Sequence, residues 1–124
     1  MEHKVASVIF TRHELTPEQT VSLLKNETII CQDLANRNLY SEDDVNRLFA
    51  DLQHQTKWYE VVYVYGVIPA PLRELLQNNY CFKSDDCTVV YIYEAWNIQR
   101  SIGGRKPSSE FKEWCMTGEY YFPR

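Results

Sequence analysis

The stretch Val5-Ala6-Ser7-Val8-Ile9-Phe10-Thr11-Arg12-His13-Glu14-Leu15-Thr16-Pro17-Glu18-Gln19 decides the fold. Val5 to Phe10 is apolar and β-branched with no helical period, so it reads as a strand that stops at the polar group Thr11 to Glu14. Thr16 then offers a helix cap. Pro17 takes the first helical position, where its missing N–H has no partner to lose, and Gln19 stands where a reciprocal capping box needs it. The spacing predicts a helix through Val21, Leu24 and Lys25. Strand, short loop and helix make a βα unit.

The same unit recurs downstream. Thr28-Ile29-Ile30-Cys31 reads as a short strand, followed by polar residues 32–38. Ser41-Glu42-Asp43-Asp44 is a strong helix start, a capping Ser with three acids at the positive end of the dipole. Val45, Leu48, Phe49 and Leu52 then follow at the spacing of one helical face. Tyr59-Glu60-Val61-Val62-Tyr63-Val64-Tyr65 is almost continuously apolar and ends at Gly66. Pro69 and Pro71 precede the helix-like Leu72-Arg73-Glu74-Leu75-Leu76, and Thr88-Val89-Val90-Tyr91-Ile92-Tyr93 is a fourth strand of the same character. Continuous apolar strands suit a sheet covered by helices on both faces. The expected architecture is therefore α/β, a small Rossmann-like three-layer sandwich with a mostly parallel central sheet. After Glu94 the chain reads as a polar, Gly-containing connection to Phe111 and Trp114, and Glu119-Tyr120-Tyr121-Phe122 closes it as an antiparallel C-terminal edge strand.

With 124 residues and 14.7 kDa there is room for one domain, spanning 1–124. A chain of this size buries roughly two thirds of its unfolded surface, enough to fold without disulfides or structural metal. The net charge of −4 argues against a protein that coats duplex DNA. Apolar runs fall short of the ~20 residues a membrane span needs. Cys31, Cys81, Cys87 and Cys115 form no CxxC pair, which disfavours zinc and suits free thiols in a reducing compartment. A soluble, untargeted cytoplasmic protein is expected.

In open α/β sheets ligands bind beyond the carboxyl ends of the strands, where strand order reverses. That rule nominates Thr11, Arg12 and His13 after the first strand, and Asp33, Asn36, Arg37 and Asn38 after the second. It adds Gly66 to Pro71 after the third, and Glu94, Trp96, Asn97 and Arg100 after the fourth. Helix starts and Arg12 with His13 supply donors for an anion, and Gly66 would let a ligand approach the backbone. Arg100, Arg105, Lys106 and Lys112 against Glu110 form a local positive patch on an acidic chain, suited to a small phosphate ligand. The bland alternatives are a solvated loop for Arg12 and His13, an exposed turn for Gly103-Gly104-Arg105-Lys106, and a turn residue for Gly66. Tyr63, Tyr65, Tyr91, Tyr93 and Trp96 read as core or dimer contacts before base-stacking platforms. GxGxxG, GxxxxGK[ST] and GxSxG are all absent, and His3, His13 and His54 lack metal-ligand spacing. No cofactor and no metal is expected.

Thr11-Arg12-His13-Glu14-Leu15-Thr16-Pro17-Glu18-Gln19, directly after an apolar first strand, resembles the opening of the CARF-like ring nucleases associated with type III CRISPR systems. Val62-Tyr63-Val64-Tyr65-Gly66-Val67-Ile68-Pro69-Ala70-Pro71-Leu72 is similar to the strand-Gly-loop-helix step of that group, and Glu119-Tyr120-Tyr121-Phe122 to its terminal strand. The resemblance implies a homodimer that binds cyclic oligoadenylate, chiefly the tetra-adenylate, and cleaves it without metal to switch off antiviral signalling. It implies His13 as general acid or phosphate donor, Arg12 on phosphate, Thr11 on a ribose or phosphate oxygen, and Arg100 or Arg105 supplying transition-state charge. Asn36 and Asn97 would read adenine edges. Two other classes fit the same residues: a nucleotide-sequestering protein, and a protein-interaction module of a phage or mobile element in which Thr-Pro-Glu-Gln is only a helix cap.

Overall fold

Both capping motifs start a helix. Thr16 Oγ1 accepts from the Gln19 N–H at 3.2 Å while Gln19 Oε1 accepts from the Thr16 N–H at 3.0 Å, and Ser41 with Asp44 repeats the arrangement. In the computed structural model, residues 5–11, 14–23, 28–31, 38–78, 87–100 and 108–123 are described. They form β1 (Val5–Ile9), α1 (Pro17–Val21), β2 (Thr28–Cys31), α2 (Glu42–Thr56), β3 (Val61–Tyr65), α3 (Ala70–Asn78), β4 (Cys87–Arg100) and β5 (Ser108–Pro123).

The strands make one open mixed sheet in the order β2-β1-β3-β4-β5. β1 pairs in parallel with β2 and with β3, β3 pairs in parallel with β4, and β5 runs antiparallel to β4 at the edge. The register sets Ser7 beside Tyr63 and Tyr63 beside Tyr91. One step on, Ile9 lies beside Tyr65 and Tyr65 beside Tyr93.

The two faces differ. On one, Ala6, Val8, Val62, Val64, Val90, Ile92 and Phe122 are buried with Val45, Leu48 and Leu52 of α2 and Leu72 and Leu76 of α3. Phe49 meets the Phe122 ring edge-on at 5.4 Å. Each fully buried aliphatic side chain there contributes roughly 1.5–3 kcal/mol, so this layer holds the fold together. On the other face Ser7 and Tyr65 are buried, while Ile9, Tyr63, Tyr91 and Tyr93 are half-buried. The helix on that side, α1, buries none of its residues and is tied down where Trp114 Nε1–H donates to the Gln19 carbonyl at 3.2 Å.

Several expectations change. The strands are not evenly apolar: β3 and β4 alternate aliphatic and tyrosine side chains, which explains a face with so little helical cover. α1 ends at Val21, where the Leu23 N–H turns to the Thr20 carbonyl three residues back; Leu24 and Lys25 lie outside the described residues. α3 includes Pro71, which its first turn tolerates. β4 does not stop at Tyr93. It runs to Arg100 against β5, making an antiparallel arm where the sequence reads as a polar connection. Pairing supplies the hydrogen bonds that composition alone does not foretell, and irregularities at Ile92/Tyr93 and Trp96/Asn97 mark where the ladder shifts register.

The free-thiol expectation holds at Cys115 and fails at Cys87, which is disulfide-bonded and buried at the start of β4. Linear spacing carries no information on which cysteines meet in space. Among the described residues no helix is long and apolar enough to cross a membrane.

Candidate functional site at the carboxyl ends of the strands

The carboxyl ends of β1 and β3 meet each other and the middle of β4 through their backbones. Phe10 N–H donates to the Tyr65 carbonyl at 2.8 Å, and Gly66 N–H donates to the Tyr93 carbonyl at 2.9 Å. The turns after β1 and β3 therefore share one rim, past which β4 continues as a strand. The chain passes from β1 to β2 on one side and returns to β3 on the other, so strand order reverses between β1 and β3. That is the position where open α/β sheets form a ligand crevice.

Gly66 is required there for a reason internal to the chain. Its φ is +143°, and a Cβ built on it would stand 1.8 Å from the Phe10 carbonyl oxygen. Its N–H is engaged by Tyr93, so the close backbone approach expected for a ligand is made instead by the β1 turn. Beyond it Ile68 is buried, and Arg73 N–H bonds back to the Pro69 carbonyl to start α3.

The arm formed by β4 and β5 continues past this rim. Arg73 braces its base: Nη1 donates to the Thr117 carbonyl at 3.2 Å, Nη2 approaches Thr117 Oγ1 at 3.4 Å, and Glu94 lies at 3.9 Å. Thr117 is the residue left over where the ladder shifts between the Ile92 and Tyr93 pairs, so the guanidinium holds the strand where its own pairing lapses. Higher on the arm Lys112 Nζ lies 4.6 Å from the Trp96 ring centre, a cation–π contact on an exposed ring.

A cleft of about 220 Å³ opens at the same rim, on the α1 side of the sheet, lined by Ser22, Tyr65, Tyr93, Glu113 and Trp114. The rings are held in fixed mutual poses. Tyr65 and Tyr93 stack across neighbouring strands at 5.5 Å and 22°, and Trp114 meets Tyr65 edge-on at 5.1 Å and Phe111 at 5.4 Å.

Of the residues nominated from the sequence, Thr11 and Gly66 lie together on this rim, Thr11 half-buried and Gly66 buried. Asn97 is exposed on the arm opposite Phe111, and the backbone of Arg100 is the last rung of β4. Arg12, His13, Asp33, Asn36, Arg37 and the Gly103-Gly104-Arg105-Lys106 turn lie outside the described residues. Sequence reading gave Trp114 and Arg73 no role and took the cleft rings Tyr65 and Tyr93 as core or dimer contacts before base-stacking platforms. The signal for the rings was present as the valine and tyrosine alternation of β3 and β4; Trp114 and Arg73 become visible only when β5 pairs with β4. Among the described residues no cluster of three or more His, Cys, Asp or Glu side chains is arranged to hold a metal ion.

Tyr121 sits on the sheet away from this rim. Its hydroxyl donates to Glu119 Oε1 at 2.6 Å, and that bond, followed by desolvation and the Glu119 charge, raises its pKa above the ordinary tyrosine value. No protein-family model, no curated protein and no solved structure matches this chain.

Proposed function

We propose that this chain is a metal-independent ring nuclease that binds cyclic oligoadenylate at the carboxyl-end rim of a Rossmann-like sandwich and opens it. The observation that supports the reading is the pair of backbone contacts Phe10 to Tyr65 and Gly66 to Tyr93, because it gathers the turns after β1 and β3 at one edge, beside the middle of β4. A homodimer would set two such rims about a ring of near two-fold symmetry.

In the proposed step a ribose 2′-oxygen attacks the adjacent phosphorus in line. The O2′–P bond forms, the P–O5′ bond breaks, the 2′-hydroxyl proton leaves to a base, and the 5′-oxygen takes a proton. His13 is assigned as that proton donor, since an unperturbed imidazole titrates near pH 6.5. Arg12 pairs with the phosphate, Thr11 meets a ribose or phosphate oxygen, and Arg100 or Arg105 balances the developing charge with a planar fork of donors. Asn36 and Asn97 read base edges. The Cys87 disulfide stands against the cytoplasmic setting that goes with this reading, because such bonds are rare in reducing compartments.

Incubation of pure protein with labelled cyclic tetra- and hexa-adenylate in EDTA tests the proposal. Linear products ending in 2′,3′-cyclic phosphate, lost in His13→Ala, are expected. An intact ring whose mobility shifts would replace cleavage by sequestration. An intact ring with no shift, and no rise in Tm at saturating ligand, would remove the nucleotide altogether and leave the protein-interaction reading.

A further inference from the structure

The cleft beside α1 differs in chemistry from the phosphate-binding loops the proposed function relies on. Among the described residues lining it there is no Lys, Arg or His; the walls are Tyr65, Tyr93 and Trp114, with Ser22 and Glu113 completing them. Among these described residues a phosphate has no cation to pair with, and Glu113 would repel it. A flat uncharged ring, by contrast, meets π-faces held in place by their own contacts, Tyr93 by stacking on Tyr65 and Trp114 by its Nε1–H bond to Gln19 and its edge contact with Tyr65.

Resting on the nucleotide reading above, we propose that this cleft is a base subsite. One adenine of the ligand stacks against Trp114 and Tyr93 while its phosphates run away from the cleft, along the rim toward Thr11. Ser22 sharpens the choice of base. Its hydroxyl has already given its proton to the Glu18 carbonyl at 2.9 Å, so towards a ligand it is an acceptor. The exocyclic amine of adenine is a donor that suits it; a carbonyl at that position does not.

Fluorescence of the Trp58→Phe/Trp96→Phe protein reads this directly, since the chain has three tryptophans and only Trp114 then remains. Quenching by cyclic tetra-adenylate and, at higher concentration, by plain adenosine is expected, with inosine weaker than adenosine. Trp114→Leu should weaken binding by about ten-fold or more, within the range found for base stacking on a protein ring. Because Trp114 also holds α1, Tyr93→Leu serves as a second variant, with circular dichroism as the control for folding. Cyclic tetra-adenylate that shifts the protein in a gel yet leaves Trp114 emission and both variants' affinities unchanged would overturn the subsite and spare the rim. Quenching by adenosine without any binding of the ring would keep the subsite and overturn the ring reading. No response to either ligand would overturn both.

Discussion

The two faces of the central strands are built from the same segments and solve opposite problems. β3 carries Val62 and Val64 to one side and Tyr63 and Tyr65 to the other, and β4 does the same with Val90 and Ile92 against Tyr91 and Tyr93. The aliphatic side is wholly buried beneath α2 and α3. The tyrosine side makes do with a five-residue helix and with its own rings, Tyr63 stacking on Tyr91 at 5.6 Å and Tyr65 on Tyr93 at 5.5 Å. Aliphatic side chains leave water only if another layer covers them. Tyrosine rings pack against one another across the strands, and Tyr63, Tyr91 and Tyr93 stay only half-buried while Tyr65 is covered, so this face needs far less helical cover. Stability therefore concentrates on one face, and the other is left open at the end where the cleft lies.

The largest effect is expected at Gly66, where both layers are tied to the rim. Gly66→Ala puts a methyl against the Phe10 backbone in a positive-φ conformation and should cost about 4 kcal/mol or abolish folding. A urea midpoint equal to the parent's would show that the rim is not the close crossing described. Next, Leu48→Ala on the aliphatic face should cost about 3 kcal/mol in the same measurement.

Tyr91→Ala on the open face should lose only about 1 kcal/mol despite removing a larger ring, because the ring is half-buried to begin with. A loss matching that of Leu48→Ala would erase the contrast between the faces. The smallest expected effect is Glu119→Gln, which takes away the charged acceptor and should lower the Tyr121 pKa in an ultraviolet titration of tyrosinate. The sign follows from the upward shift. The pair's contribution is full below the ordinary tyrosine value and is lost as pH rises through the higher folded value, so its removal is felt at neutral pH and fades on the alkaline side. An unmoved Tyr121 titration would show that the 2.6 Å bond is not formed in solution.

Much of the scaffold was readable beforehand because its signals are local. Thr16 with Gln19 and Ser41 with Asp44 each satisfy helix-end N–H groups within four residues, and the spacing of Val45, Leu48, Phe49 and Leu52 defines a face wherever the helix goes. The arm was not readable. Glu94 to Arg100 is polar enough for a loop, and what makes it a strand is the partner from Ser108 onward, which the linear pattern does not name. The site divides the same way. Thr11 and Gly66 were reached from the rule about strand ends, whereas Trp114 and Arg73 act on residues 95 and 44 positions away.

By itself the sequence determined the cores of β1 to β4 and of the helices, a closing edge strand, and where α1 and α2 start, since caps, periods and chain reversals are short-range physics. Only the tertiary structure decided that Phe10 and Tyr93 close on Gly66, that Cys87 is disulfide-bonded, and that three rings from β3, β4 and β5 wall a cleft beside α1. Those contacts depend on which strands lie side by side, a choice made by burial of the whole aliphatic face at once.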